Sequence, residues 1–117
     1  MRDAARSRSS SSGDWVDVCG FDALEEEIPE GIRIRGNYIA LFRIGDAVYA
    51  TSGFCTHAQA DLCNGYVEGD VVECPLHQAR FHIPTGRVLS EPADRDIEVF
   101  PTEIRDGRVL VRLREAQ

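Results

Sequence analysis

The chain has 117 residues and a formal net charge of −7, with all 13 of its basic residues Arg. That length suits one domain with a modest core, and the acidity argues against nucleic acid, whose phosphates repel it, and for a basic partner surface. A membrane-spanning helix needs about 18 consecutive apolar residues. The longest clear apolar run is YIALF at residues 38–42, which reads as a strand, so no membrane span is expected.

Residues 1–13 (MRDAARSRSSSSG) are rich in Ser and Arg and nearly free of apolar side chains, so a disordered tail is expected there, with a single domain over 14–117. Arg2, Arg6 and Arg8 are not followed by the apolar stretch that a secretory or twin-arginine signal requires, so a cytoplasmic location is expected. In a reducing compartment the four cysteines are available as metal ligands rather than as disulfides.

Strand signals then dominate. Residues 15–19 alternate apolar and polar side chains, as a half-buried strand does. Residues 21–27 could form one helical turn capped by Asp22, stopped by Pro29 and Gly31. Residues 32–35 alternate again. Residues 38–44 and 47–51 flank Gly45-Asp46, and residues 97–105 and 108–113 flank Asp106-Gly107, the strongest short hairpin signal in the chain. Residues 71–73 and 81–83 are shorter strand candidates. No segment sustains a helical period. The expected fold class is all-β and antiparallel, with about eight to ten short strands.

Between residues 53 and 86 the pattern changes. All three His and three of the four Cys fall here, among Gly53, Gly65, Gly69, Pro75, Pro84 and Gly86. This is loop-rich sequence on a β scaffold, where binding residues usually sit. Its kernel is Cys55-Thr56-His57, sixteen intervening residues, then Cys74-Pro75-Leu76-His77. Each arm offers one thiolate and one imidazole, and a hairpin turning near Glu68-Gly69-Asp70 would bring the arms face to face. Two Cys and two His can hold a tetrahedral zinc ion or a [2Fe–2S] cluster with mixed ligands. Zinc fingers usually pair Cys with Cys and His with His; here each arm is mixed, which suits two irons, one taking both Cys and the other both His.

The segment CTHAQADLCNGYVEGDVVECPLHQARFHIPTGRV, with the motif C-x-H-x16-C-x2-H, resembles the cluster-binding region of Rieske ferredoxins serving bacterial aromatic-ring-hydroxylating dioxygenase systems of the biphenyl, naphthalene and carbazole types. The resemblance runs from about Trp15 to Leu113. It implies the Rieske fold, an antiparallel β-sandwich with a cluster-binding subdomain of two loops at about residues 53–86. It also implies one [2Fe–2S] cluster, with Cys55 and Cys74 on the inner iron and His57 and His77 on the outer iron near the surface. The loop disulfide of respiratory Rieske proteins is absent, since Ala60 and Leu76 stand at its positions, and so is the Ser that raises their potential. A centre near the low end of the Rieske range, roughly −150 mV, is expected. Cys63 is expected to be a loop thiol, Cys19 a buried strand residue and His82 structural.

Beyond His57 and His77 only His82 remains, too few for the second iron site of a terminal oxygenase, and no Gly-rich dinucleotide motif is present. The chain is therefore expected to be an electron carrier rather than an enzyme. The resemblance implies single electrons passing from an NAD(P)H-dependent flavoprotein ferredoxin reductase, through a soluble monomer, to a terminal oxygenase. The contact patch would centre on His57 and His77, with Gln59, Gln78, Arg80 and Pro92 at its rim. Two other readings are a small Rieske-type subunit of a reductase complex such as nitrite reductase, and a zinc-stabilised interaction module.

Overall fold

The computed structural model describes residues 15–56, 60–76, 78–90 and 95–113. The expected tail at residues 1–13 lies outside them. Ten strands form: β1 (Trp15–Gly20), β2 (Glu30–Ile34), β3 (Asn37–Ile44), β4 (Ala47–Ser52), β5 (Tyr66–Glu68), β6 (Val71–Glu73), β7 (Arg80–His82), β8 (Val99–Phe100), β9 (Thr102–Arg105) and β10 (Arg108–Arg112). They pair as three sheets, in the orders β1-β10-β9, β2-β3-β4-β8 and β5-β6-β7, and every ladder is antiparallel.

The middle sheet decides the architecture. Successive side chains on a strand point to opposite faces. Along β3, Ile39 and Leu41 enter one apolar core together with Val48, Phe100, Val109 and Val111. Ala40 and Phe42 enter a second core with Cys55, Leu62, Val72, Cys74, Phe81 and Ile83. A strand buried on both faces needs a continuous apolar run instead of an alternating one, which is why YIALF shows no period of two. The first core joins the middle sheet to β1-β10-β9 as a sandwich; the second fixes the small sheet β5-β6-β7 to its other face.

The turns follow the local sequence. Asp106-Gly107 links β9 to β10 with both residues at positive φ (52° and 75°), as a type I′ hairpin requires. A second turn of this kind, at Arg35-Gly36 (52° and 85°), links β2 to β3. It has no Asn or Asp to announce it, and the strand read at residues 32–35 in fact spans Glu30–Ile34.

Three other expectations are corrected. Residues 97–105 do not form one strand. Pro101 has no N–H to give to a ladder, so the chain breaks there and β8 and β9 join different sheets. The turn expected at residues 21–27 shrinks to a 3-10 turn at Phe21–Ala23; it starts from Gly20 without a side-chain cap, so Asp22 lies inside it and caps nothing. Cys19 is half-buried, because the β1–β10 register shifts between Asp17 and Cys19.

Gly86 joins the small sheet to the chain that returns to the sandwich. Its N–H donates to the His82 carbonyl (2.7 Å) and its carbonyl accepts from the Ile97 N–H (2.8 Å). It sits at φ +77°, and a Cβ there would run into the Ile97 carbonyl oxygen. Left-handed strain and overpacking therefore act together in Gly86→Ala, at a cost of about 3 kcal/mol. Gly36 shares the positive φ but has open space around it, so Gly36→Ala carries only the conformational cost of about 1 kcal/mol. In thermal unfolding at a fixed scan rate, Gly86→Ala is expected to lower the midpoint by at least about 10 °C and Gly36→Ala by only about 5 °C. Equal shifts would show that the contact with Ile97 contributes nothing.

Candidate metal centre

Two loops of the same design stand at one edge of the second core. The first leaves β4 through Gly53 and Phe54 and runs from Cys55 to Ala60; the second leaves β6 and runs from Cys74 to Ala79. In each, the cysteine N–H donates to the carbonyl of the alanine five residues on, at 3.0 Å for Cys55 to Ala60 and 2.7 Å for Cys74 to Ala79. The β5–β6 hairpin lies between the loops in sequence, as expected.

This places two thiols together in the core. Cys55 is 5% exposed and Cys74 fully buried, and neither forms a disulfide. The two thiols lie close enough to interact directly. Burial, opposed by the Leu76 N–H and assisted by the Cys55 thiol, pushes the Cys74 thiol up to about 11. The Leu76 N–H reaches the Cys74 Sγ at 3.4 Å. Paired, buried, unoxidised sulfurs suit a soft metal or an iron–sulfur cluster, which must displace their protons on binding. A backbone N–H already directed at one of them adds a hydrogen bond of the kind that tunes cluster potential.

The surroundings pass from core to surface within two residues. Cys74 is buried, Pro75 exposed and Leu76 46% exposed. Gln78 adopts a positive φ of 63°, which lets the second loop turn back to the buried Ala79. Thr56 ties the first loop to the returning chain by donating its Oγ1–H to the Arg95 carbonyl at 2.9 Å.

Of the four expected ligands, Cys55 and Cys74 are brought into contact, while His57 and His77 lie outside the described residues. Gln59 and Pro92 lie outside them too. Gln78 is exposed, and Arg80 pairs with Glu73 across β6 and β7 at 3.3 Å.

Of the three residues set aside in sequence, His82 and Cys63 have other partners. His82 bridges Asp70 (Nε2 to Oδ2, 2.9 Å) and Thr85 (Nδ1 to Oγ1, 2.8 Å), holding the β5–β6 turn to the 83–86 turn. Cys63 sits in a 3-10 turn at Leu62–Asn64, where its N–H donates to Asp61 Oδ1 (2.8 Å). Burial pushes the Cys63 thiol up to about 11, with Tyr38 acting the other way. Burial also raises the thiol of Cys19.

Sequence reasoning passed over Tyr38 and Asp61. The Tyr38 hydroxyl donates to Asp61 Oδ2 at 2.7 Å. The sequence signal was Asp61 itself, an Asx-type cap two residues ahead of the amide that it accepts from. Nothing local pointed to its partner 23 residues away.

Comparison with known proteins agrees with this geometry. Residues 14–101 match the family model of the Rieske [2Fe–2S] domain. The chain is similar to the ferredoxin component of the naphthalene 1,2-dioxygenase/salicylate 5-hydroxylase systems of Ralstonia sp, at 37% identity over 85% of this chain and 95% of that one. It is similar in structure to the ferredoxin of carbazole 1,9a-dioxygenase from Nocardioides aromaticivorans IC177, with a TM-score of 0.81 and 31% identity over 84% of this chain and 96% of that one. A chain from a complex of reduced oxygenase and oxidised ferredoxin in carbazole 1,9a-dioxygenase also matches with a TM-score of 0.81, at 33% identity over 88% of this chain and 97% of that one. The fold is the Rieske fold, the chain belongs to the Rieske [2Fe–2S] domain family, and the group it carries is one Rieske-type [2Fe–2S] cluster.

Proposed function

We propose that this protein is the ferredoxin of an aromatic-ring dioxygenase system: a soluble cytoplasmic monomer that takes single electrons from an NAD(P)H-dependent flavoprotein reductase and delivers them to a terminal oxygenase. It is a carrier and not an enzyme. Residues 14–117 form one domain in this reading, with the cluster carried by the subdomain at about residues 53–86. The observation that carries the reading is the buried contact between Cys55 and Cys74 at the heads of two matched loops. The resemblance to ferredoxin components of such systems supports it. Among the described residues no helix is long and apolar enough to cross a membrane.

The cluster supplies one-electron chemistry when bound. Cys55 and Cys74 hold it from the core side, and His57 and His77 complete the ligand set. The protein's own contribution is to anchor the sulfurs in rigid, apolar surroundings and to direct the Leu76 N–H at one of them. Beside that loop, Pro75 and Leu76 offer a partner exposed apolar surface.

Replacing Cys55 or Cys74 by Ser, or His57 or His77 by Ala, is expected to abolish the Rieske EPR signal of the reduced protein, whereas Cys19→Ser and Cys63→Ser keep it. Loss of the signal in Cys63→Ser would overturn the ligand set.

Alkylation of the cluster-loaded protein gives an independent check on Cys63. At pH 8 a thiol with a pKa of about 11 is roughly 200-fold less ionised than a free thiol at about 8.5. Its higher intrinsic nucleophilicity recovers about tenfold of this. Iodoacetamide is therefore expected to modify Cys63 about 20-fold more slowly than free cysteine, with the rate rising tenfold per pH unit as the thiolate forms. A rate independent of pH between 7 and 9 would show a thiol that is already ionised, as a metal ligand is.

The net charge of −7 implies a basic partner surface. Stopped-flow reduction by NAD(P)H and a flavoprotein reductase is expected to slow by at least about tenfold between 0.01 and 0.5 M salt. A rate indifferent to salt would remove charge steering from the account.

A further inference from the structure

Tyr38 is the second residue of β3, outside the ligand set, and touches both ends of the first cluster loop. Its carbonyl accepts from the Gly53 N–H at 2.9 Å, and the Leu62 N–H donates to the Gly53 carbonyl at 2.8 Å. Phe54 and Asp61 form a bridge across the base of the loop. The Tyr38 ring lies against Phe54, with centroids 5.0 Å apart, and the Arg33 guanidinium carbon lies over the Tyr38 ring, 5.0 Å from its centroid. A Cβ on Gly31 or on Gly53 would collide with the Tyr38 ring or hydroxyl, so both glycines make room for it. The hydroxyl then reaches Asp61 Oδ2 at 2.7 Å, while Asp61 Oδ1 accepts from the Cys63 N–H at 2.8 Å. Burial, together with the bond to Asp61, holds the phenol above its ordinary range, so it remains a donor across the working pH range.

We propose that Tyr38 is a positioning residue for the cluster: through Gly53 and Phe54 on one side and Asp61 on the other, it clamps the two ends of the loop that begins at Cys55. The inference rests on the reading of Cys55 as a ligand. Ligand orientation and nearby hydrogen bonds set both the potential of a cluster and its retention. A clamp on the loop base therefore acts on both, at a distance and without touching iron. The ring also covers the backbone of Gly31 and Gly53, so Tyr38→Phe removes the hydroxyl while keeping the packing. A hydrogen bond to a carboxylate is worth roughly 1.5–3 kcal/mol, or at least about tenfold in an opening equilibrium.

The test uses the cluster-loaded protein and its Tyr38→Phe, Asp61→Ala and doubly substituted forms, with Cys19→Ser, a thiol packed against the other core, as the control that leaves the clamp intact. Cluster loss to an iron chelator is followed by bleaching of its visible absorbance, and the midpoint potential by voltammetry. Tyr38→Phe is expected to bleach at least tenfold faster and to show a shifted midpoint potential, with the double variant no worse than Asp61→Ala alone. Cys19→Ser is expected to match the parent in both. Hydrogen exchange of the Cys55 and Leu62 amides is expected to speed up in Tyr38→Phe, while that of Val109 and Val111 in the sandwich stays unchanged. The proposal is overturned if Tyr38→Phe keeps the parental potential and bleaching rate, if the two substitutions add independently, or if exchange rises equally everywhere. Failure of the underlying reading looks different: Cys55→Ser would then retain the cluster whatever Tyr38 does.

Discussion

Burial of β3 on both faces is the constraint from which the rest of the structure follows. Ile39 and Leu41 close one core, while Ala40 and Phe42 close the other. A strand exposed on one face could carry a sandwich but could not also seat the small sheet. The buried thiols of Cys55 and Cys74 belong to the second core, beside Phe42, Phe81 and Ile83. The site is therefore mounted on the scaffold by close packing and is not left on loops alone. Tyr38 lies near the start of the same strand, so one element fixes both the floor of the site and the base of its first loop. Close-packed interiors transmit small displacements, so changes along β3 would be felt at the sulfurs.

The fold and the site were legible in the sequence to different depths. The unbroken run at 38–42 announced a strand, and Asp106-Gly107 announced its hairpin, because these signals are local. The mixed Cys and His arms pointed to the pair of sulfurs because ligand chemistry restricts residue type and spacing together. What stayed hidden depends on distant partners. The Arg35-Gly36 turn lacks a favoured first residue, so the register of β2 against β3 sets it more than intrinsic preference does. Residues 97–105 read as one strand despite Pro101, and only the two sheets show that the chain changes layer there. The Tyr38–Asp61 bond spans 23 residues, and no periodicity encodes it. Glycines gave a partial signal: Gly31 and Gly53 read as turn or loop residues, yet they make space for an aromatic ring.

Charge and packing divide the work of a carrier. The net charge of −7 acts over a Debye length, and in the proposed function it steers encounter. Surface pairs such as Arg108 with Asp17 at 2.9 Å and Arg105 with Glu103 at 2.8 Å are exposed and add little to stability. Stability comes from the two cores, and the contact needed for transfer needs a surface that water leaves readily. Leu76 at 46% exposure, next to the buried Cys74 loop head, supplies apolar area of that kind.

The chain holds two thiols besides the proposed ligands, and its structure keeps them out of competition for iron. A metal takes the thiolate, so availability depends on both geometry and ionisation. Cys63 packs against the core that contains Cys55 and Cys74. Its amide is bound to Asp61, and burial keeps its proton in place. Cys19 lies with the other core, and burial raises its thiol as well. Ionisation alone does not separate Cys63 from Cys74, whose own thiol is likewise pushed up to about 11. The difference is pairing: Cys74 lies against a second buried sulfur at the head of a matched loop, and a cluster held by both would recover the cost of two deprotonations. Cys63 faces a phenol and a carboxylate, which offer iron no second sulfur. Selection of the ligand pair thus rests on which thiols the two loops bring face to face, and that juxtaposition is the feature the Tyr38 clamp preserves.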